Sequence, residues 1–313
     1  MIYLTEDNVR SLLPMRECIG LMQAVFEKLA SGEAVNHPRR RLILPTKSIL
    51  HYLAGSDGKY FGAKFYSSNP KSGAHFFFLL YRSDDGQPLA MIEANHLGQI
   101  RTGAATGYAT AKLARPDSKI AAVIGTGFQA RTQLEALTTA MPLERVRVWS
   151  RKAEGREAFA ADCSKATGVT VEATATAEEA VRGAHIVVTA TYSGTPVLES
   201  AWVGAGTHIN AVGSNQAKRR ELPEDLVQRC DLIVTDSIEQ ARMEAGDLLL
   251  GLPEEGWGKV KELREIASGA VQRTSPDAIT LFKSNGLAVE DVIAAGFVFE
   301  RAQEAGLGSR FPS

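Results

Sequence analysis

Ile120-Ala-Ala-Val-Ile124-Gly125-Thr126-Gly127-Phe128-Gln129-Ala130 decides how this chain is read. The apolar run to Ile124 has the length of a buried strand, the glycines turn it, and Ala130 falls where a helix begins. Gly125 permits a tight turn, and Gly127 lets backbone N–H groups approach an anion. Ala130 is small enough for helix and strand to touch. At such a helix start, unsatisfied N–H groups and the positive end of the helix dipole favour a phosphate. The amphipathic run after it, Arg131–Leu137, supplies the helix. The reading is a dinucleotide-binding turn with Gly125, Thr126, Gly127, Phe128, Gln129 and Ala130 at the pyrophosphate.

The next strand sharpens the cofactor. Arg145–Trp149 ends in Ser150-Arg151-Lys152. An NAD site usually carries an Asp or Glu about 20 residues beyond the glycines, where it accepts from the ribose hydroxyls. Here that strand end has no acid. Ser150, Arg151 and Lys152 can donate to a 2′-phosphate, which a carboxylate would repel. NADPH is therefore the expected cofactor, with NAD possible. Thr189-Ala190-Thr191 ends a later strand and is placed to line the nicotinamide ribose, as are Val212 and Gly213 after the strand that follows.

Downstream of Lys119 the pattern alternates strand and helix, with strands expected at 120–124, 145–149, 169–172, 185–190, 207–211, 231–235 and 279–282. That alternation implies a doubly wound parallel sheet. Upstream, a helical run at Met15–Ser31 precedes short β-like runs at 40–44, 49–53, 60–66, 74–81 and 89–93. Asp57-Gly58 and Asp85-Gly86 mark hairpin turns, so this part should form an antiparallel or mixed sheet. A helix is expected near His96–Leu113, ending before a hinge at Arg115-Pro116-Asp117. The last helix, Val289–Ala305, is apolar enough to pack back on the first part. The expected architecture is a Rossmann-type α/β sheet (116–288) inserted in a smaller α+β substrate and dimerisation domain (1–115 with 289–313).

Composition narrows the class further. A net charge of −1 gives no reason to expect nucleic acid or an anionic membrane as partner. No apolar run approaches the ~18 residues of a membrane helix. The start, Met-Ile-Tyr-Leu-Thr-Glu-Asp, is too acidic and too briefly apolar for a signal peptide, which implies a cytoplasmic protein. Cys18, Cys163 and Cys230 are scattered and odd in number, and read as reduced, buried thiols. The six histidines show no metal-ligand spacing.

Four separated motifs, taken in order, resemble the ornithine cyclodeaminase / mu-crystallin family. They are Gly62-Ala63-Lys64, Gln99-Ile-Arg101-Thr-Gly103-Ala-Ala105, the glycine turn itself, and Ala211-Val-Gly213-Ser-Asn215 with the later Glu221-Leu222. The resemblance covers nearly the whole chain. It implies a dinucleotide-dependent enzyme of amino or imino acids and a homodimer built through the sheets of the substrate domain. By resemblance, Arg40, Lys64 and Arg101 match the substrate-carboxylate and proton-handling positions; the pattern Pro-x-Arg selects Arg40 from Arg39-Arg40-Arg41.

Those residue types suit the chemistry. Arginine forks hold a carboxylate bidentately and so fix the carbon beside it. A lysine among apolar neighbours has its pKa lowered and can move a proton near neutrality. Asn215 departs from the family pattern, since the cyclodeaminases carry an aspartate at the matching position. Asparagine cannot act as a carboxylate base or balance an ammonium. The expectation is an NAD(P)H-dependent reductase of small α-imino acids, reversible as an amino-acid dehydrogenase, with Asn215 orienting the nitrogen. Two alternatives accompany it: an ornithine or lysine cyclodeaminase with recycled NAD, and a non-catalytic NADPH and small-ligand binder of crystallin type.

Overall fold

Alternating apolar residues and two Asp-Gly turns build the first sheet. In the computed structural model, which describes residues 1–311, strands β1 (Ile2–Leu4), β2 (Val35–Ile43), β3 (Ile49–Ser56), β4 (Tyr60–Asn69), β5 (Gly73–Arg82) and β6 (Pro88–Glu93) join a short β15 (Ser309–Arg310). Their order is β15-β1-β6-β5-β4-β3-β2. Gly58 and Gly86 take positive φ values of 91° and 69° in the two expected hairpin turns. The sheet is mixed, because β1 runs parallel to β6 while β2 to β6 form an antiparallel meander.

One face of this sheet is covered by helix α1 (Glu6–Leu12) and the C-terminal helix (Ala288–Ala305), and α2 (Met15–Ser31) packs on the latter. Val292, Ala294, Ala295 and Val298 of the last helix are fully buried, and so are Met22, Val25 and Phe26 of α2. Each large side chain of this kind stabilises the fold by about 1.5–3 kcal/mol relative to exposure. The Asn36 side chain of β2 accepts from Ala288 N at 2.9 Å and Val289 N at 3.3 Å, which anchors the start of the C-terminal helix.

Apolar β-branched runs bounded by turns form the second sheet, as buried parallel strands do. It contains β7 (Ile120–Ile124), β8 (Arg145–Trp149), β9 (Thr170–Ala173), β10 (Ile186–Thr189), β11 (His208–Ala211), β12 (Leu232–Thr235), β13 (Val260–Glu262) and β14 (Thr280–Lys283). Every pairing is parallel, in the order β13-β12-β14-β11-β10-β7-β8-β9. The doubly wound α/β reading is borne out. Strand β13, absent from the sequence expectation, is a three-residue edge strand too short to show a pattern.

The chain divides into two compact units, Met1–Arg101 with Gly286–Ser313, and Thr102–Asn285. The first division falls inside helix α3 (Asn95–Leu113). Within the second unit α3 lies against α4 (Phe128–Ala140): a Cβ on Gly103 would sit 2.5 Å from the Thr132 carbonyl oxygen. That contact explains the small residues of Thr102-Gly103-Ala104-Ala105. Among the described residues no helix is long and apolar enough to cross a membrane.

Candidate active site

The glycine turn sits where the strand order reverses. Strand β7 pairs with β8 on one side and β10 on the other, and in open α/β sheets ligands bind beyond the strand ends at that point. Gly125 has φ of 111°, and a Cβ there would lie 2.4 Å from the Ala190 carbonyl oxygen, so only glycine lets the turn pass the end of β10. Gly127 is the residue preceding α4 and meets nothing within 4 Å; no side chain caps that helix. The turn therefore presents a helix start facing open space, which is what a pyrophosphate requires.

A cleft of about 900 Å³ lies there, lined by Gly125, Thr126, Gly127, Ser150, Arg151, Ala190 and Thr191 among others. Its size suits a dinucleotide. Thr126 Oγ1 donates to Ser150 Oγ at 3.0 Å, tying the turn to the end of β8. Ala130 is fully buried against the sheet. Phe128, Gln129, Lys152, Thr189, Val212 and Gly213 do not line the cleft. Glu178 and Glu199 do, a feature the β8 end gave no sign of. Glu178 is paired with Arg182 at 2.5 Å.

In the first unit, Lys64 and Arg101 are brought together. Lys64 lies on β4 facing inward and is 3% exposed; Arg101, on α3, is 5% exposed. Both meet Asp291, fully buried in the first turns of the C-terminal helix: Lys64 Nζ donates to Oδ1 at 3.0 Å, and Arg101 Nε donates to the same oxygen at 3.1 Å. Arg101 Nη1 also donates to Glu290 Oε2 at 2.8 Å. Two glycines make room for these heads. A Cβ on Gly98 would sit 2.4 Å from Lys64 Nζ, and one on Gly286 2.4 Å from Arg101 Nη1.

Burial pulls Lys64 down to about 8, with Arg101 and Arg39 adding to the effect and Asp291 opposing it. Burial works against charge on Asp291 too, yet Arg101 and Lys64 together hold its carboxyl below the usual range. Arg40 takes a different place from its expected partners. It is exposed, whereas Arg39 is 4% exposed and donates from Nη2 to the Gly286 carbonyl at 3.3 Å. The cause is a bulge in β2 between His37 and Arg40, after which Arg40 stands opposite Tyr52 on the outer face. Lys64 and Arg101 thus meet Asp291, Arg101 also meets Glu290, and Arg39 is near enough to act on Lys64.

Sequence reasoning passed over Arg39, Glu290 and Asp291. The available signal was two adjacent acids inside an apolar helical run, which no exposed face could accommodate. Asn215 lies half-buried on the loop after β11, in the second unit. Gly213 N in that loop donates to Glu221 Oε2 at 2.8 Å, and Lys283 Nζ donates to the Ser214 carbonyl at 2.5 Å.

A doubly wound sheet with a glycine turn at its switch point, in a chain whose other unit buries a lysine and an arginine against two carboxylates, has the make-up of a dinucleotide-dependent oxidoreductase. Residues 1–306 match the ornithine cyclodeaminase/mu-crystallin family, and the chain belongs to it. It is 41% identical over 229 residues to a Δ1-pyrroline-2-carboxylate reductase from Bacillus cereus, covering 72% of this chain and 70% of that one. Among solved structures, the Δ1-pyrroline-2-carboxylate reductase of Thermococcus litoralis in complex with NADH and L-proline is 34% identical. It has a TM-score of 0.94 over 99% of this chain and 100% of that one. An archaeal alanine dehydrogenase, a dimer with bound NAD, is 31% identical with a TM-score of 0.93, covering 100% and 99%.

Proposed function

We propose that this protein is an NAD(P)H-dependent reductase of small α-imino acids, running in reverse as an amino-acid dehydrogenase. The observation that carries the proposal is the buried meeting of Lys64 and Arg101 on Asp291. A guanidinium fork and a lysine with a pKa of about 8, held at one buried carboxylate, are what binding a substrate carboxylate and moving a proton to an imine require. Arg101, held in orientation by Glu290 and Asp291, offers the planar fork; Arg39 is the second arginine, in the role expected for Arg40.

The residues of the glycine turn fit a dinucleotide, with Gly125, Thr126, Gly127 and the start of α4 holding its phosphates. A bound reduced nicotinamide would supply hydride to the imine carbon. Lys64 has a pKa near neutrality and supplies the proton that the product nitrogen or its bound water requires. Asn215 hydrogen-bonds that nitrogen without acting as a base, which favours simple reduction over ammonia loss. Ser150 and Arg151 line the cleft at the end of β8, and no carboxylate stands on that strand end. Of the two acids in the cleft lining, Glu178 is paired with Arg182, and Glu199 stands on the loop before Ser200. NADPH is thus the proposed donor.

The outer face of the first sheet supports a homodimer. Leu42 (54% exposed) stands opposite Leu50, and Tyr52 opposite Phe65; Phe61 stacks on Tyr81 at 5.1 Å. An exposed apolar face of this extent calls for a partner, and the archaeal relative is a dimer.

Nicotinamide absorbance tests the function. NADPH and NADH are each mixed with cyclic ketimine carboxylates, or with 2-oxo acids plus ammonia or methylamine. The proposal predicts loss of absorbance with at least one imino acid. Ammonia release from ornithine without net absorbance change would identify a cyclodeaminase. Cofactor binding with no turnover on any substrate would identify a binder.

A further inference from the structure

In the second unit a buried carboxylate outside the cleft gathers the loops that border it. Glu221 is fully buried and accepts four hydrogen bonds. Its Oε1 takes Thr191 N and Thr191 Oγ1, both at 2.7 Å. Its Oε2 takes Gly213 N at 2.8 Å and Thr189 Oγ1 at 3.1 Å. These donors come from the ends of β10 and β11, neighbours in the parallel sheet. The approach is close enough that a Cβ on Gly213 would fall 2.4 Å from the Thr191 carbonyl oxygen.

The segment carrying Glu221 is itself fixed. Asp247 Oδ1 accepts from Glu221 N at 2.6 Å and Leu222 N at 3.0 Å, and Asp247 Oδ2 pairs with the buried Lys283 at 2.9 Å. Lys283 also holds the Ser214 carbonyl. The loop leading to Asn215 is therefore gripped at Gly213 by Glu221 and at Ser214 by Lys283. The Thr191 and Thr189 hydroxyls can accept as well as donate, so the fixed contacts are the two backbone N–H groups, Thr191 N on Oε1 and Gly213 N on Oε2. Burial, with Asp247 adding to it, raises the Glu221 carboxyl above its usual value, while Lys283 and the Thr191 hydrogen bonds oppose that rise.

We propose that Glu221 is a positioning residue for the redox end of the dinucleotide, acting through Thr191 and Gly213 and not by touching the ligand. Thr191 lines the cleft while Glu221 does not. The inference rests on the dinucleotide reading of the Gly125–Gly127 cleft. Glu221→Gln is a sharp perturbation. Each carboxylate oxygen receives one backbone N–H, so either amide rotamer turns its own NH₂ against Thr191 N or Gly213 N. Hydroxyls can rotate away from such a clash; backbone N–H groups cannot.

The test is isothermal titration of the full-length protein with intact dinucleotides (NADPH, NADH) and with fragments lacking nicotinamide (2′-phospho-ADP-ribose, ADP-ribose). For Glu221→Gln we expect dinucleotide affinity to fall about tenfold or more, with fragment affinity kept within about twofold. Thr189→Val removes one of the four donors without altering a cleft-lining residue, and serves if the first variant does not fold. Its expected loss is about threefold, again confined to the dinucleotides. Unchanged dinucleotide affinity in the folded variant tested overturns the proposal. Equal loss for dinucleotide and fragment also overturns it, because Glu221 would then hold the unit as a whole. Wild-type protein that binds neither class would instead remove the cofactor reading itself.

Discussion

Asp291→Asn changes one charge and almost no volume, and its effect can be worked from the cluster. Lys64 has a pKa of about 8 because burial and the positive charges of Arg101 and Arg39 outweigh the attraction of Asp291. Asp291 Oδ1 lies 3.0 Å from Nζ. Losing an opposite charge at that range lowers an amine by about one to three pKa units, with asparagine at the low end because it still accepts a hydrogen bond. Glu290 remains, but its contact is with Arg101. In imine reduction Lys64 must be protonated, so kcat/KM should fall above about 8 in the wild type. In the variant the fall should begin at least about one unit lower, leaving the rate about tenfold down once pH exceeds both values. Amino-acid oxidation needs neutral Lys64, so its rate should rise through the same pH range and shift the same way. The assay is the pH profile of kcat/KM in both directions. An alkaline limb that stays in place in Asp291→Asn would refute the assignment of Lys64 as the proton carrier.

Four more predictions follow from the same geometry. Gly98→Ala places a methyl 2.4 Å from the Lys64 ammonium; it should lower turnover by at least about tenfold and stability by about 1–3 kcal/mol, read by kinetics and a thermal melt. Arg101→Lys keeps the charge but loses the fork that spans Glu290 and Asp291, so substrate KM should rise about tenfold while NADPH affinity stays the same by titration. Arg101→Ala is the poorer probe, since it takes a guanidinium away from two buried carboxylates and should cost about 3–5 kcal/mol in a denaturant melt. Arg151→Ala should weaken NADPH about tenfold and leave NADH nearly unchanged in a fluorescence titration.

The β7 turn was legible because a φ of 111° at Gly125 is a local demand that glycine meets without strain, and it leaves a sequence mark. The doubly wound sheet was legible for the same reason, each strand being an apolar run between turns. Arg39 was not, because a bulge in β2 reverses which arginine faces inward, and no spacing rule announces a bulge. Asp291 and Glu290 were hidden by distance along the chain. They sit beside Lys64 and Arg101 only after the C-terminal helix returns to the first sheet, more than 180 residues later. Glu221 entered the sequence reading only as a motif letter; its meaning depends on two strand ends that are neighbours in space alone.

The most direct measurement is the fate of deuterium from NADPH carrying two deuteriums at C4 of the nicotinamide, with an imino acid as acceptor and mass spectrometry of the product. Label at the α-carbon of the amino acid is what the account predicts. Product without label, or label anywhere else, would contradict it.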